Sequence, residues 1–295
     1  MYKILRIEEG DINAPYMAQN YASGKHKGEE EIMTKVFVLN ADIIHFSGID
    51  ALVNSTNTLM PGKGGLDRLV WECGNYRKDI KGMKKCEARI SNAHGLQYKY
   101  IIHAIVPQWN HKKTDVSIAE LKQCYRNIFE CCIKNEQRVK SVAIPPLGLK
   151  HRGIPDIEGT EIAIQIMKEY LDKGLKAVYF ILSGYDVTRL YCDTMKQAEI
   201  SFVEAKDCLI AGKDLLCNSM NMSEEDFGKV LDALSCSHDK EDIWIETDLE
   251  KKVKKGLKQV LENPDEYVAT IKEWMDENGT TIEVFKSVIK NTLVR

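Results

Sequence analysis

The stretch "ALVNSTNTLMPGKGGLDRLVWEC", residues 51–73, runs from an apolar strand-like segment through a glycine-rich loop into an amphipathic helix. Three glycines, Gly62, Gly64 and Gly65, lie within four residues of that loop, with Lys63 among them. Glycines allow backbone N–H groups to face an anion, and the start of a helix adds partial positive charge. The pattern favours an anion-binding loop, and a plain tight turn is the alternative.

This loop differs from the two common nucleotide-binding motifs. A P-loop requires Ser or Thr directly after its lysine, but here Gly64 follows Lys63. A dinucleotide-binding loop requires a third glycine at the position of Asp67 and follows its strand directly, whereas residues 55–61 intervene here. Asp67 also has an ordinary structural interpretation, because an acidic residue in the first helical turn is favourable for the helix dipole.

A second glycine loop, "PPLGLKHRGIP" at residues 145–155, again lies between an apolar strand and a helix pattern. Its two glycines bracket three consecutive basic residues. Basic side chains in a strand-to-helix loop suit a diphosphate. A solvated basic turn is the alternative interpretation.

Strand-like runs and helical patterns alternate along most of the chain. Nearly continuous apolar runs indicate strands that are buried on both faces. The alternation predicts an α/β domain with three layers, preceded by a polar loop or arm at residues 8–32. The predicted strands are 2–7, 35–43, 51–54, 99–107, 141–146 and 177–182, and the clearest helices after the first are 117–135 and 158–171.

From about residue 205 only helix signals remain. Ser223 is the expected N-cap of one helix, and the pairs Thr247/Glu250 and Thr280/Glu283 have capping-box spacing. This predicts a small all-α module at the end of the chain. We therefore divide the chain into an N-terminal strand and polar arm (1–33), an α/β domain (34–204) and a helical C-terminal module (205–295).

One helix of the C-terminal module, within residues 249–263, carries an apolar stripe with lysines over much of the remaining surface. A solvated face of a packed helix explains this pattern. The alternative is an adaptor surface that contacts nucleic acid or a partner protein. The lysines are Lys251, Lys252, Lys254, Lys255 and Lys258.

Composition narrows the class of protein. A net charge of −3 over 295 residues gives no general attraction to nucleic acid or membranes, so a basic site must be local. We expect no signal peptide and no membrane span. Nine cysteines without a C-x-x-C pair indicate buried thiols in a reducing, cytoplasmic environment. With no metal-like His/Cys spacing, we expect no metal or cofactor, and His103 is interpreted as a core histidine.

Residues 34–200 resemble a macrodomain, the module that binds ADP-ribose. Three landmarks in order carry the resemblance. Residues 40–75 resemble the family's acidic strand end, "VNAAN" segment and glycine loop, "KYIIHAIVPQW" (99–109) resembles its "YVIHTVGP" strand, and residues 141–155 resemble its second phosphate loop. The resemblance implies a three-layer α/β/α domain with a mixed sheet. "PPLG" and "GKG" are similar to the antitoxin-type macrodomains, which remove ADP-ribose from DNA bases.

The resemblance also implies binding residues. Asp42, with the backbone of Ile43, corresponds to the pair that holds the adenine amino group. Asn57 corresponds to the second asparagine of the "VNAAN" segment, which lies at the distal ribose. Asn54 corresponds to the first asparagine, whose role is more often structural. The remaining implied contacts are Gly62, Gly64 and Gly65 in the loop around the distal ribose and diphosphate, and Gly148, Leu149, Lys150, His151, Arg152 and Gly153 in the loop that wraps the diphosphate.

For catalysis, the resemblance implies that Asp67 orients a water at the distal ribose, with Asn57 fixing the ribose hydroxyls. Lys63 is a third candidate, either acting electrostatically or attacking the opened sugar as an amine; a phosphate-facing or solvent-exposed lysine is the alternative. The sequence also departs from the hydrolase pattern, because Trp71 replaces a histidine and Lys150 replaces the central glycine of the second loop.

Two functions remain open at this point. The first is metal-independent hydrolysis of mono-ADP-ribosyl groups from a protein or nucleic-acid substrate. The second is non-catalytic reading of ADP-ribose with a helical adaptor domain. The family's aromatic residue after the last strand is Ser183 here, so Tyr185 or Tyr191 is expected to stack on the distal side instead.

Overall fold

The computed structural model describes residues 33–57, 62–74, 76, 78–93, 95–134, 139–149, 151–235 and 247–294. The predicted strand 2–7, the polar arm at 8–32 and Lys150 lie outside the described residues. The described residues belong to one compact unit. No helix in this part of the chain is long and apolar enough to span a membrane.

The described strands form one seven-stranded mixed sheet in the order β3-β4-β2-β5-β6-β1-β7. β3 pairs antiparallel with β4, and the other pairs are parallel. Parallel pairing aligns the carboxyl ends of the central strands at one edge. The strands are β1 (Lys35–Asn40), β2 (Ala51–Thr56), β3 (Ala88–Asn92), β4 (Tyr100–Ile105), β5 (Ser141–Ile144), β6 (Ala177–Leu182) and β7 (Val203–Glu204).

Helices follow the strands along the chain, as βαβ connections require. Those of the first part are α1 (Gly65–Cys73), α2 (Thr114–Ile133), α3 (Asp156–Lys168) and α4 (Tyr185–Gln197). The helices after β7 are α5 (Ala205–Ile210), α6 (Lys213–Met220), α7 (Glu224–Ser235), α8 (Asp248–Glu262), α9 (Pro264–Glu277) and α10 (Ile282–Val294).

The sheet separates two hydrophobic cores. Val36 and Val38 of β1 lie in the core shared with α2, α3 and α4, whereas Phe37 and Leu39 lie in the core on the opposite face. This alternation follows from the two-residue period of a strand. All six residues of β6 are buried, which explains its continuous apolar run. The predicted three-layer α/β fold is confirmed.

The C-terminal helices cover the second face together with α1. Phe37 stacks on Tyr179 at 4.4 Å, and the Tyr179 hydroxyl donates to Thr280 Oγ1 at 3.3 Å. Phe285 of α10 stacks on Tyr267 of α9 at 4.9 Å within the same core. The boundary proposed near residue 205 stays a prediction, and the two parts share one hydrophobic core.

The helix caps test the sequence analysis in detail. Ser223 Oγ accepts the backbone N–H of Asp226 at 3.1 Å, and Thr247 and Glu250 form the predicted capping box. The prediction for α10 is wrong by one residue: Thr281 Oγ1, not Thr280, accepts the N–H of Val284 at 3.4 Å. Thr280 is instead engaged by Tyr179.

Candidate functional site

A cavity of about 700 Å³ opens at the carboxyl ends of β1, β2, β5 and β6. Open α/β sheets bind ligands at this edge. Its lining is Asn40, Ala41, Asp42, Ile43, Ile44, Ser55, Asn57, Lys63, Gly64, Gly65, Leu66, Asp67, Leu69, Pro145, Pro146, Gly148, Leu149, His151, Arg152, Asp156, Ile181, Ser183, Val187 and Asn291. The two glycine loops predicted from the sequence therefore contribute to one cavity.

The first loop turns sharply at Gly62, whose φ is +76°. A Cβ atom at this position would lie 2.7 Å from Cγ of Trp71. Trp71 also packs edge-on against Tyr76, with ring centroids 5.1 Å apart. Trp71 therefore supports the inner side of the loop.

Asp67 anchors this loop to the sheet. Its side chain is 5% exposed, and Oδ2 accepts the backbone N–H of Gly62 at 2.7 Å. Oδ1 accepts Asn54 Nδ2 at 3.0 Å and the hydroxyl of Tyr76. A carboxylate has about four acceptor positions; the described residues occupy three of them, and Asp67 also lines the cavity.

Tyr76 stays protonated in this arrangement. Burial, together with the adjacent Asp67 carboxylate, raises the pKa of the Tyr76 phenol well above its ordinary value. The hydroxyl is therefore a permanent donor to Asp67.

A buried polar chain continues behind Asp67. His103 is fully buried, its Nδ1 lies 3.4 Å from Asn54 Nδ2, and its Nε2 lies 2.9 Å from Ser91 Oγ. Because the Asn54 amide nitrogen is a donor, Nδ1 is assigned as the acceptor and Nε2 as the protonated nitrogen. Tyr76 stacks on the imidazole at 4.6 Å. The prediction of a core histidine is confirmed.

The second loop approaches the first across the cavity. Gly148 and Gly153 have φ values of +70° and +67°. A Cβ atom on Gly65 would lie 3.3 Å from Nε2 of His151, so the two loops nearly touch there. Arg152 Nη2 donates to the carbonyl of Thr56 at 3.4 Å, which holds the guanidinium along the wall.

The far end of the cavity is formed by the residues after β1. Asp42 Oδ1 accepts the N–H of Ile44 at 3.0 Å, and Oδ2 lies 2.6 Å from His45 Nδ1. The Ile43 carbonyl accepts the hydroxyl of Tyr98 at 2.6 Å. Asn291 of α10 completes this end, which we call the Asp42 end.

The lining carries charges of both signs. Lys63 and Arg152 lie on the two glycine loops, Asp67 and Asp156 lie in the helices that follow these loops, and Asp42 follows β1. Backbone N–H groups and cations on the loops suit a phosphate, and a carboxylate suits an amino or hydroxyl donor. The cavity therefore matches an elongated ligand with an anionic middle and a polar end.

Most of the described residues predicted for the site line the cavity: Asp42, Ile43, Asn57, Lys63, Gly64, Gly65, Asp67, Gly148, Leu149, His151 and Arg152. Of the described residues predicted there, Asn54, Gly62, Gly153 and Tyr185 do not line it. Tyr191 is fully buried against Phe180, with ring centroids 5.1 Å apart. Ser183 and Val187 line the wall where an aromatic residue was expected.

Several lining residues were not predicted from the sequence. Asn40 and Ser183 end or follow buried strands, and their position at the shared strand edge could have indicated them. Leu66 and Asp156 lie in the first turns of the helices that follow the loops, and Leu69 lies one turn further along α1. No sequence signal pointed to Asn291, which lies beyond the macrodomain-like segment.

Comparison with known proteins finds a family model and several relatives that match the α/β part of this chain. Residues 53–163 match the family model for the Macro domain. "Protein GDAP2 homolog" from Nematostella vectensis is 29% identical over 168 residues, which are 53% of this chain and 32% of that protein. "ADP-ribose glycohydrolase MACROD1" from Mus musculus is 26% identical over 176 residues, 58% of this chain and 54% of that protein. The chain thus spans about a third and about half of these two relatives.

A bacterial relative and a solved structure agree with this match. "O-acetyl-ADP-ribose deacetylase 1" from Pantoea vagans is 27% identical over 169 residues, 52% of this chain and 96% of that protein. The Oceanobacillus iheyensis macrodomain with ADP has a TM-score of 0.50 and 22% identity, over 55% of this chain and 90% of that chain. The structural likeness shows the fold. The macrodomain resemblance seen in the sequence is therefore confirmed by a family-model match over residues 53–163 of the α/β part, which holds most of the cavity.

Proposed function

We propose that the protein binds ADP-ribose in this cavity and hydrolyses mono-ADP-ribosyl modifications on a protein or nucleic-acid substrate. The observation that carries the proposal is a cavity of about 700 Å³ lined by two glycine loops, with Lys63 and Arg152 beside it. This volume suits a nucleotide-sized ligand. The names of two relatives, an ADP-ribose glycohydrolase and an O-acetyl-ADP-ribose deacetylase, support it.

In the proposed pose, the diphosphate lies between the two loops. Backbone N–H groups of the first loop and the guanidinium of Arg152 offset its charge. The distal ribose lies toward Asn57 and Asp67, and the adenine lies toward Asp42. Each of these four residues lines the cavity.

The proposed reaction is a displacement by water at the anomeric carbon of the distal ribose. The water oxygen bonds to that carbon, the bond from the carbon to the substrate breaks, and the leaving atom takes up the proton that the water loses. The remaining acceptor position of Asp67 orients the water, Asn57 holds the ribose hydroxyls, and Lys63 stabilises developing negative charge. Asp67 is suited to this role because Gly62, Asn54 and Tyr76 fix its carboxylate in one orientation.

The second candidate function is a non-catalytic reader of ADP-ribose. The observation that favours it is the same set of three hydrogen bonds to Asp67, because a purely structural anchor of the loop would make them too. Trp71 favours it as well, since it supports the loop through packing and brings no acid–base group.

Incubation with a mono-ADP-ribosylated protein and with mono-ADP-ribosylated DNA separates the two functions. We expect release of ADP-ribose from at least one substrate and a loss of about 100-fold or more in Asp67→Asn. Asp193→Asn is the control, because Asp193 is an exposed acid of α4 outside the cavity lining; its turnover should change by less than about threefold. Tight binding without release identifies a reader, and full turnover by Asp67→Asn refutes the proposed mechanism.

Contact between the C-terminal helices and nucleic acid or a partner protein stays a separate prediction. Val253 and Leu257 of the apolar stripe of α8 are buried. Of the five lysines of this helix, four are exposed. Lys251 lies 3.4 Å from Asp248, and Lys252 donates to the carbonyl of Asn221 at 2.8 Å. This arrangement suits the solvated face of a packed helix, and it also supports the adaptor proposal.

A further inference from the structure

The last helix, α10, is bonded to the loop that forms the Asp42 end of the cavity. The N–H of Asp42 donates to Asn291 Oδ1 at 2.8 Å. The N–H of Ser47 donates to Ser287 Oγ at 3.1 Å, and the two serine hydroxyls lie 3.0 Å apart. Ser287 and Asn291 are four residues apart and therefore lie on one face of the helix. One face of α10 thus holds both ends of the loop from Asp42 to Ser47.

The contact is also close at the level of the backbone. Gly48 has a φ of +86°, and a Cβ atom there would lie 2.6 Å from Thr281 Oγ1 and 2.8 Å from the backbone nitrogen of Val284. Only glycine allows the loop to approach the start of α10 in this way. The loop and the helix are therefore fitted to each other.

Asn291 itself borders the cavity. Its amide orientation is fixed by two partners, because Oδ1 accepts the Asp42 N–H and Nδ2 donates to the Ser287 carbonyl at 2.8 Å. An asparagine amide has two N–H donors and two oxygen lone pairs. Among the described residues these are its two partners, so one donor and one lone pair remain for a ligand.

We propose that Asn291 contacts the nucleobase of the bound ligand and that α10 holds the Asp42–Ser47 loop in its binding conformation, which makes the C-terminal helices part of the nucleotide site. This inference rests on the proposed binding of ADP-ribose. Adenine presents an amino donor beside a ring-nitrogen acceptor, and an asparagine amide pairs with both. Hypoxanthine presents a carbonyl in place of the amino group, so it lacks the donor that the Asn291 oxygen and the Asp42 carboxylate would accept.

Calorimetric titration of the full chain with ADP-ribose and with inosine diphosphate ribose tests the inference. We expect the wild type to bind ADP-ribose more tightly than the inosine analogue. Asn291→Ala should lower the affinity for ADP-ribose by about tenfold and change the affinity for the inosine analogue much less. Ser287→Ala removes the hydrogen bond from Ser47 that holds the loop but leaves the Asn291 amide in place. It should therefore lower the affinities for both ligands by the same factor. Lys290→Ala, an exposed residue of the same helix, should leave both affinities within about twofold.

Thermal unfolding of each variant confirms that it is folded before titration. If Asn291→Ala binds both nucleotides as the wild type does, the assignment of Asn291 is overturned while the proposed function stands. If Asn291→Ala and Ser287→Ala weaken both ligands equally, α10 only positions the loop and the base contact is wrong. If the wild type binds neither nucleotide, the proposed function fails and this inference fails with it.

Discussion

Asp67 accepts hydrogen bonds from three separate parts of the domain: Asn54 of β2, Gly62 of the first loop and Tyr76 beyond α1. Removing a buried acceptor leaves its donors unpaired, which costs about 1–3 kcal/mol for each group. Asp67 is therefore a structural residue whatever its chemical role. Binding and turnover must be measured separately in any Asp67 variant, because a change in loop shape alone would weaken the ligand.

Gly62 gives the sharpest prediction at the residue scale. Gly62→Ala places a methyl group 2.7 Å from Trp71 Cγ on a backbone with φ of +76°, so we expect the free energy of unfolding to fall by about 1–3 kcal/mol. Gly64→Ala is the matched control in the same loop, since a Cβ atom there has no neighbour within 4 Å and its φ of −163° is extended backbone. Urea denaturation compares the two. Equal stability of both variants would contradict the proposed contact between Gly62 and Trp71.

The sharp turns of the first loop could be predicted from the sequence, because a backbone with positive φ, as at Gly62 and Gly65, favours glycine. The side chains that contact this loop could not be predicted. Residue type alone does not separate Asn54, which donates to Asp67, from Asn57, which lines the cavity; only the family resemblance distinguished them. Likewise, Tyr185 and Tyr191 are both aromatic residues suited to stacking on a ligand. Their positions around the axis of α4 decide which way each ring points.

At the scale of elements, Asp50 joins the amino ends of three strands. Its backbone carbonyl accepts the N–H of Tyr100 at 3.0 Å, at the start of β4. Its carboxylate accepts the N–H groups of Lys140 and Ser141, at 2.9 and 3.1 Å, next to β5. Burial alone would raise the pKa of Asp50, but hydrogen bonds from Lys99, Lys140 and Ser141 outweigh it and lower the pKa.

This lowered pKa predicts a pH-dependent contribution to stability. Since the folded-state pKa is depressed, the stabilisation is present above the unfolded value of about 3.9 and is lost as pH falls through the folded value. We expect Asp50→Asn to lower the free energy of unfolding by about 1–3 kcal/mol at pH 7, with the difference shrinking below pH 4. Asp193→Asn is the control, because its ion pair with Arg189 spans 3.7 Å at the surface. A pH-independent difference for Asp50→Asn would refute the account.

The buried strands could be predicted because their apolar runs have no other interpretation; β6 was predicted at its observed limits, Ala177–Leu182. β3 and β7 were missed for physical reasons. β3, "ARISN", is an edge strand with no fully buried residue, and β7 has two residues, Val203 and Glu204. Pairing with the neighbouring strand stabilises both, and pairing partners leave no local pattern in the sequence.

At the scale of the whole molecule, the C-terminal helices are the third layer of the fold. The sequence indicated that they are helical, but not that they pack on the sheet. That packing depends on residues far apart in the chain, such as Phe37 and Phe285, which lie in the same core. Helices of a separate module and helices that pack on the sheet show the same apolar pattern in the sequence.

Truncation tests this arrangement. We expect a chain that ends at residue 204 to aggregate, because the sheet face around Phe37 and Tyr179 would lose its cover. In the full chain, Phe285→Ala should lower the free energy of unfolding by about 3–5 kcal/mol, since Phe285 is 1% exposed. Lys290→Ala serves as the surface control. A soluble truncated chain with cooperative thermal unfolding would show that the α/β part folds without these helices.

The central claim, that the cavity between the two glycine loops binds ADP-ribose, is tested most directly by a crystal structure of the full chain with ADP-ribose. The account predicts the diphosphate between Gly64–Gly65 and Gly148–Arg152, the distal ribose beside Asn57 and Asp67, and the adenine against Asp42 and Asn291. An unoccupied cavity at saturating ADP-ribose, or a ligand bound elsewhere on the protein, would contradict it.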